Sequence, residues 1–431
     1  MDGGQPVVSF SFPDRWSIRP AFESGGEVMK RFTFVLGALL LLSANSAHAQ
    51  LVMQMSNGWS FTFAGNVNAF LDYEKESTSG KTSTPFGVVG NSADQTRIQT
   101  GLLPAFAVFD AKGKEGNTDL AVHFNFAPEI QCGRGIHDCF GAQIDMREVF
   151  LTAGGSWGQV LAGRELGLFA RQNILTDQTL FGIGATGAGG GGVGGGGGTT
   201  LGRIGFGYPY AQFKAQFTYS TPGGKPGVFS IGLFESAAAS LPGVAVSPYS
   251  KTNIPRVEAE YVYNKKEFKG WVGGLVQSTK NPSNNKTATA TGVSGGIRWD
   301  NKKVSLTGSG YWGKGIGTTL LFLGASCTDG TCGSNGSKDL TKSYGYIGQI
   351  TYTTGKTTLA GSYGASLLDA SDTEKGLFKT ENALFSGGVY HQATKSLKLV
   401  FELDYATTKD KDANVKKNSS IAPAVGMMLF F

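Results

Sequence analysis

From residue 59 onward the chain is built of segments of about ten residues in which apolar and polar side chains alternate one for one. A strand turns successive side chains to opposite faces, so this period of two excludes a helical fold. In WSFTFAGNVNAFLDY, Trp59, Phe61, Phe63, Val67, Ala69, Leu71 and Tyr73 share one face, and Ser60, Thr62, Asn66, Asn68 and Asp72 share the other. The pattern recurs with Leu120, Val122, Phe124 and Phe126 against Asp119, His123 and Asn125, and with Phe213, Phe217 and Tyr219 against Gln212, Lys214 and Gln216. It recurs again with Val257, Ala259, Tyr261 and Tyr263 against Arg256, Glu258 and Glu260, and with Leu399, Phe401, Leu403 and Tyr405 against Lys398, Glu402 and Asp404. The polar face is charged, which a dry core does not tolerate, so the strands should enclose water. No stretch after residue 50 approaches the roughly 18 consecutive apolar residues of a spanning helix. If the chain crosses a membrane, it does so as strands.

The alternation predicts sixteen strands, at 59–73, 96–110, 118–127, 142–153, 158–165, 203–220, 226–235, 253–264, 268–278, 288–300, 303–313, 341–354, 356–366, 380–392, 396–407 and 419–431. Long connections follow the odd strands and tight polar turns follow the even ones, among them Asn301-Lys302, Gly355-Lys356 and Ala393-Thr394-Lys395. A soluble sandwich has no reason to keep long and short connections in strict alternation, whereas a transmembrane barrel places long loops outside and short turns in the periplasm. The expected fold is therefore all-β, a transmembrane antiparallel β-barrel of about 16 strands. The 65 Gly follow no collagen period, and 29 Phe with 14 Tyr exclude a disordered chain.

The first 49 residues are expected to be an upstream extension plus signal peptide. Met29-Lys30-Arg31 opens a basic region, Phe32 to Leu42 is apolar, and Ala47-His48-Ala49 has the small-x-small form of a cleavage site. Translation is expected to start at Met29, cleavage to follow Ala49, and 50–431 to form the barrel domain. The segment 1–49 carries four basic and four acidic residues, so the net charge stays at +6 without it. In an exported chain the four cysteines suggest two local disulfides, Cys132 with Cys139 and Cys327 with Cys332. The longest connection, about 166–202, begins apolar and ends in Gly189 to Gly198. No GKS or GKT follows those glycines, so they are a linker and not a phosphate-binding loop. The apolar half, Leu166 to Phe181, should pack on something. No metal, cofactor or nucleic acid is expected.

The Asn-rich first strand, the Arg97 strand start, the hairpin MREVFLTAGGSWGQVLAGRE, the long third loop and the chain end MMLFF resemble the general bacterial porin family, especially the trimeric porins of β-proteobacteria. That resemblance implies an outer-membrane homotrimer in contact with membrane lipid and lipopolysaccharide, and recognition of Phe431 by the outer-membrane assembly machinery. It also implies a third loop folded into the pore, with acidic loop groups facing wall arginines. Carried onto this sequence, the wall arginines are Arg97, Arg147 and Arg164, and the acidic side is Asp177 with Glu165. Alternation alone adds Lys214, Arg256, Glu258, Glu260, Arg298, Lys398, Glu402 and Asp404 to the lumen, and places Arg203 there as well.

Opposed charges across a narrow aqueous gap order water and disfavour apolar solutes. The expected function is passive diffusion of small hydrophilic solutes and ions. Arginine excess at the constriction would give a weak anion preference, tempered by the lumenal carboxylates. A substrate-selective channel of the same architecture is the alternative. An enzyme is not expected, because His123, His137 and His391 are not placed beside a nucleophile.

Overall fold

The computed structural model describes residues 51–77, 94–128, 130–131, 144–186, 199–224, 226–238, 248–327, 332–410 and 417–431. The expected leader, Cys132, Cys139 and His137, and the Gly189 to Gly198 tract lie outside the described residues. The chain forms eighteen strands: β1 Leu51–Gln54, β2 Ser60–Ser77, β3 Gln95–Gln99, β4 Phe106–Glu115, β5 Thr118–Pro128, β6 Ile144–Gly155, β7 Gly158–Leu166, β8 Phe213–Ser220 and β9 Gly227–Phe234. They continue as β10 Arg256–Lys265, β11 Phe268–Lys280, β12 Thr287–Asp300, β13 Val304–Lys314, β14 Lys342–Thr354, β15 Thr357–Asp369, β16 Lys379–Gln392, β17 Leu397–Asp410 and β18 Asn418–Phe430.

From β4 onward each strand pairs antiparallel with the next, and the sheet closes where β18 pairs with β2, Val425 opposite Leu71. Two rows of the wall are shared. β3 and β4 both lie against β2, with Asp72 opposite Arg97 and Thr62 opposite Asp110, so they are one wall strand interrupted at 100–105. β1 takes over from β18 along β2, since Phe430 faces Asn66 and Leu51 faces Phe63. Eighteen strands less these two mergers leave a closed barrel of sixteen.

The interruption has a local cause. Pro104 has no N–H to give to a ladder, and the asparagines of β2 take its place. Asn66 Nδ2 donates to the Pro104 carbonyl and Asn68 Nδ2 to that of Leu103, both at 2.9 Å, while Asn68 Oδ1 accepts from Gly101 N at 2.9 Å. The backbone of 100–105 thus bows inward with its polar groups paired.

The faces alternate as expected. Val67, Leu71 and Tyr73 point out, while Asn66, Asn68 and Asp72 are buried inside. Phe217 and Ile297 are 68% and 69% exposed, as lipid-facing residues of an isolated barrel must be. All short turns fall at one end. Gly355, at φ +56°, turns between β14 and β15 in a conformation that glycine adopts without strain. The expected strand at 203–220 begins only at Phe213, because 203–212 belongs to the third loop.

A second loop also folds inward. Ile316, Leu321, Phe322, Ala325 and Leu340 of 315–341 join the same buried apolar cluster as the third loop. Its backbone meets that loop directly: Tyr210 N donates to the Thr319 carbonyl at 2.7 Å and Gln212 Nε2 to that of Leu321 at 2.9 Å. The disulfide Cys327–Cys332 closes a turn within it.

At the seam, Phe431 N donates to the Gly65 carbonyl at 3.0 Å, and the Phe431 carbonyl accepts in return from Gly65 N at 2.9 Å. The Phe431 ring lies 5.4 Å from that of Phe63. Replacing Phe431 with Ala removes this ring pair, and should lower unfolding stability in urea by about 1 kcal/mol. An unchanged midpoint in the refolded barrel would show that the seam does not depend on the ring.

Candidate functional site

The third loop leaves β7 at Leu166, forms a short helix α1 at Arg171–Thr176 and a 3-10 turn at Gln178–Phe181, and returns along 199–212. Its apolar residues explain why it enters the barrel. Phe169, Ile174, Leu175, Leu180, Ile183, Ile204 and Phe206 are buried in one cluster with wall residues such as Phe70, Leu275 and Leu384. Asp177 sets the bend between helix and turn, because its carboxylate accepts from Thr179 N at 2.9 Å and from the Thr179 hydroxyl at 2.7 Å.

A backbone crossing the lumen needs partners for its own polar groups, and the wall supplies them. Glu258 Oε2 accepts from Phe169 N at 2.9 Å. Glu260 Oε1 accepts from Arg171 Nη2 at 2.7 Å and Nε at 3.0 Å, and from Gln172 Nε2 at 3.2 Å. Trp271 Nε1 donates to Asn173 Oδ1 at 2.9 Å. Gln349 bridges the junction after α1, donating to the Thr176 carbonyl at 3.0 Å and accepting from Gln178 N at 2.7 Å. Across the barrel, Glu402 Oε1 accepts from Ile183 N at 2.9 Å and Gly184 N at 2.5 Å, while Oε2 accepts from Tyr390 Oη at 2.5 Å. The loop comes so close here that a Cβ at Gly182 would displace the Glu402 carboxylate.

The return limb is pinned by the opposite charge. Arg203 is fully buried and donates to the Leu384 carbonyl at 2.9 Å, to the Ser362 carbonyl at 2.8 Å and to Ser362 Oγ. Gly207 N donates to Ser366 Oγ at 2.9 Å. Burial lowers the Arg203 pKa, and Asp177, Asp404, Tyr208 and Glu402 oppose that shift. Tyr208 donates to Asp177 Oδ2 at 2.6 Å, and burial together with that carboxylate raises its pKa well above the usual phenol value, so it stays a neutral donor.

These contacts relocate several residues expected at the constriction. Arg97 faces the lumen but is spent on its neighbours, with Nε 3.1 Å from Asp72 and Nη2 2.6 Å from Glu74. Arg147 is the extra residue of a bulge, since Asn125 pairs with Glu148 and Phe126 with Met146. Its Nε bonds Asp145 at 2.9 Å, and its guanidinium lies 6.0 Å from the Phe213 ring centre. Arg164 is exposed on the outward face, in step with Ala162, while Leu161 and Glu165, of the other parity, turn inward. The parity of β7 therefore overrides the family carry-over at this position. Glu165 sits on the wall at the end of β7, where its carboxylate accepts from Leu166 N at 2.7 Å, and not on the loop. Asp177 is on the loop, but the guanidinium nearest to it is the loop's own Arg203, 3.9 Å away.

The residues assigned by alternation lie as follows. Arg256 and Glu258 are buried inside as a pair 2.9 Å apart, Lys214 lies 3.5 Å from Glu235, and Arg298 pairs with Asp300 at 2.7 Å. Lys398 has no carboxylate partner among the described residues, and instead its Nζ lies 3.6 Å from the Phe181 ring centre and 5.9 Å from that of Phe430. Asp404 accepts from Ser386 Oγ at 2.5 Å. Sequence reasoning missed the anchors Arg171, Trp271, Gln349, Tyr208, Tyr390 and Ser362. It also missed the second inward loop, although the run Leu320 to Leu323 is as apolar as the start of the third.

A family model described as Gram-negative porin matches residues 36–412. Among solved structures, the outer membrane channel DcaP of Acinetobacter baumannii is similar with a TM-score of 0.63 at 14% identity, covering 88% of this chain and 99% of that one. An anion-selective porin from Comamonas acidovorans is similar with a TM-score of 0.57 at 12% identity, over 86% of this chain and 100% of that one. The outer membrane protein OmpT of Vibrio cholerae is similar with a TM-score of 0.53 at 14% identity, over 88% of this chain and 100% of that one. No curated protein sequence matches the chain. At such identities the structural likeness speaks for the fold alone.

Hydrogen bonds to a carboxylate each contribute about 1.5–3 kcal/mol, so weakening the Glu402 anchor should free the loop locally. In a Glu402→Gln variant the amides of Ile183 and Gly184 should exchange with solvent at least about tenfold faster, while those of the β17–β18 ladder stay protected. Unchanged exchange at both amides would mean that Glu402 does not hold the loop.

Proposed function

Since the chain belongs to the Gram-negative porin family and is a channel of the outer membrane, we propose that it passes small hydrophilic solutes and ions by diffusion through a lumen shaped by the third loop. The observation that carries this reading is the loop itself, held across the barrel by Glu258, Glu260, Gln349 and Glu402 on the wall and by its own Arg203. The lumen is charged on all sides of it, which suits polar solutes and repels apolar ones. His123 lies between Asp110 and Glu148 at 2.8 and 3.3 Å, and His391 bonds Thr357 at 2.9 Å.

The weak anion preference expected from the sequence has lost the residues it was argued from. Arg97 is neutralised by two carboxylates, Arg147 is paired with Asp145, and Arg164 faces outward. Asp72, Glu74, Asp110, Glu148, Asp177, Glu258, Glu260, Glu402 and Asp404 are buried around the lumen, and they outnumber Arg97, Arg171, Arg203 and Arg256, the guanidiniums with which several of them pair. The selectivity we propose is weak and toward cations, with screening over about 10 Å at 0.1 M salt keeping it modest. Lys398, beside the third loop's Phe181 and without a carboxylate partner among the described residues, offers a passing anion an unpaired charge. We also read the barrel as a subunit of a homotrimer, a state in which OmpT of Vibrio cholerae has been solved. Phe431 at the seam suits the terminal signal read by the assembly machinery.

In a planar bilayer under a salt gradient, the purified protein should show stepwise conductance and a small reversal potential of cationic sign. Lys398→Met should shift that potential further toward cations, Asp404→Asn toward anions, and Arg164→Ser should leave it and the conductance unchanged. An anionic reversal potential that Arg164→Ser abolishes would restore the arginine constriction. Conductance blocked in a saturable way by one solute would instead favour a substrate-selective channel.

A further inference from the structure

On the outside of the barrel, across β11 to β16, the wall carries a trough of about 690 Å³, lined by Phe268, Ile297, Leu306, Ile350, Tyr363 and Phe385. Its floor is glycine. Gly308 stands directly opposite Gly348, and Gly361 opposite Gly387. A Cβ built on Gly308, Gly348 or Gly361 would meet nothing within 4 Å, in contrast to Gly182, where the neighbouring carboxylate occupies that space. The protein therefore leaves this volume to something else. The trough starts near the turn at Asn301–Lys303 and reaches Gly308, a rise on the order of 20 Å along the strand, about the depth of one leaflet.

The rim next to it is positive. The turns below the trough carry Lys266, Lys302, Lys303 and Lys356, all exposed and in no ion pair among the described residues. The acids of the same turns are engaged, Glu267 with Trp299 Nε1 at 3.1 Å and Asp300 with Arg298 at 2.7 Å. Elsewhere on the same rim Lys114 is paired with Asp119, and the turn at Ser156-Trp157 carries no charge. Apolar trough and unpaired lysines thus fall on one arc of the barrel.

We propose that this trough is a binding site for an anionic phospholipid of the periplasmic leaflet, with an acyl chain over the glycines and the headgroup phosphate among the turn lysines. The short-turn end faces the periplasm in such barrels, so the ligand comes from the inner leaflet and not from lipopolysaccharide. A second copy of the chain fits the site poorly, because contact through this face would bring two lysine rims together.

The site is tested by native mass spectrometry of the intact barrel in mild detergent, titrated with dioleoylphosphatidylglycerol or dioleoylphosphatidylcholine. The wild type should retain one phosphatidylglycerol at about tenfold lower lipid concentration than phosphatidylcholine. A Gly308→Leu/Gly348→Leu variant fills the trough from positions where an added Cβ meets no protein atom within 4 Å, and should lose retention of both lipids by about tenfold. Replacing Lys266, Lys302, Lys303 and Lys356 with Gln should keep phosphatidylcholine retention and abolish the preference. Equal retention of the two lipids by the wild type, or retention untouched by the leucines, overturns the proposal. So does dissociation of the oligomer in the leucine variant, which would assign the face to subunit contact. If the leucine variant does not fold, the lysine variant decides alone: a lost preference supports the site, and an unchanged one refutes it.

Discussion

Lipid offers no hydrogen bonds, so a sheet in a membrane can have no open edge, and the rest of this structure depends on meeting that condition. Closure is made where the two ends of the barrel domain meet. β18 runs along β2 as far as Phe431, and β1 continues the same row below it. Where Pro104 breaks the second wall strand, Asn66 and Asn68 reach from β2 to satisfy the bowed backbone.

The same accounting governs the interior. A loop that crosses the lumen brings unpaired backbone groups with it, and the lumen is wide enough that strands alone do not reach them. Wall carboxylates do, which is why Glu258 and Glu402 bond backbone N–H groups and not arginines from across the pore. The charge pattern of the channel follows from that. Acids are placed on the wall as anchors, the compensating Arg171 and Arg203 are carried by the loop, and the transverse arrangement runs opposite to the one implied by the family resemblance.

What could be read from the sequence was whatever a period of two records. Leu71 outside and Asp72 inside, Phe401 outside and Glu402 inside, and the turns at Asn301-Lys302 and Gly355-Lys356 all follow from alternation and turn chemistry. The same rule would have put Arg164 with Ala162 on the outer face, and the family analogy displaced it. Parity fails where a bulge inserts a residue, as at Arg147. The strand expected at 203–220 takes in the return limb at 203–212, which in the structure belongs to the third loop. Nothing in a one-dimensional pattern separates a lumenal strand from a loop packed inside one. The partners of the lumenal acids were hidden for the same reason, since Glu402 and Ile183 are brought together by the fold from opposite halves of the chain.

The central claim is a water-filled path past a loop held in place by the wall. It is tested most directly by the swelling rate of protein-loaded liposomes in isosmotic solutions of neutral sugars of increasing size. A diffusion channel narrowed by a fixed loop predicts swelling for the smallest sugars and a steep, unsaturated fall in rate with solute size. Absence of swelling for every sugar, or rapid uptake of a single large one that saturates with its concentration, would contradict it.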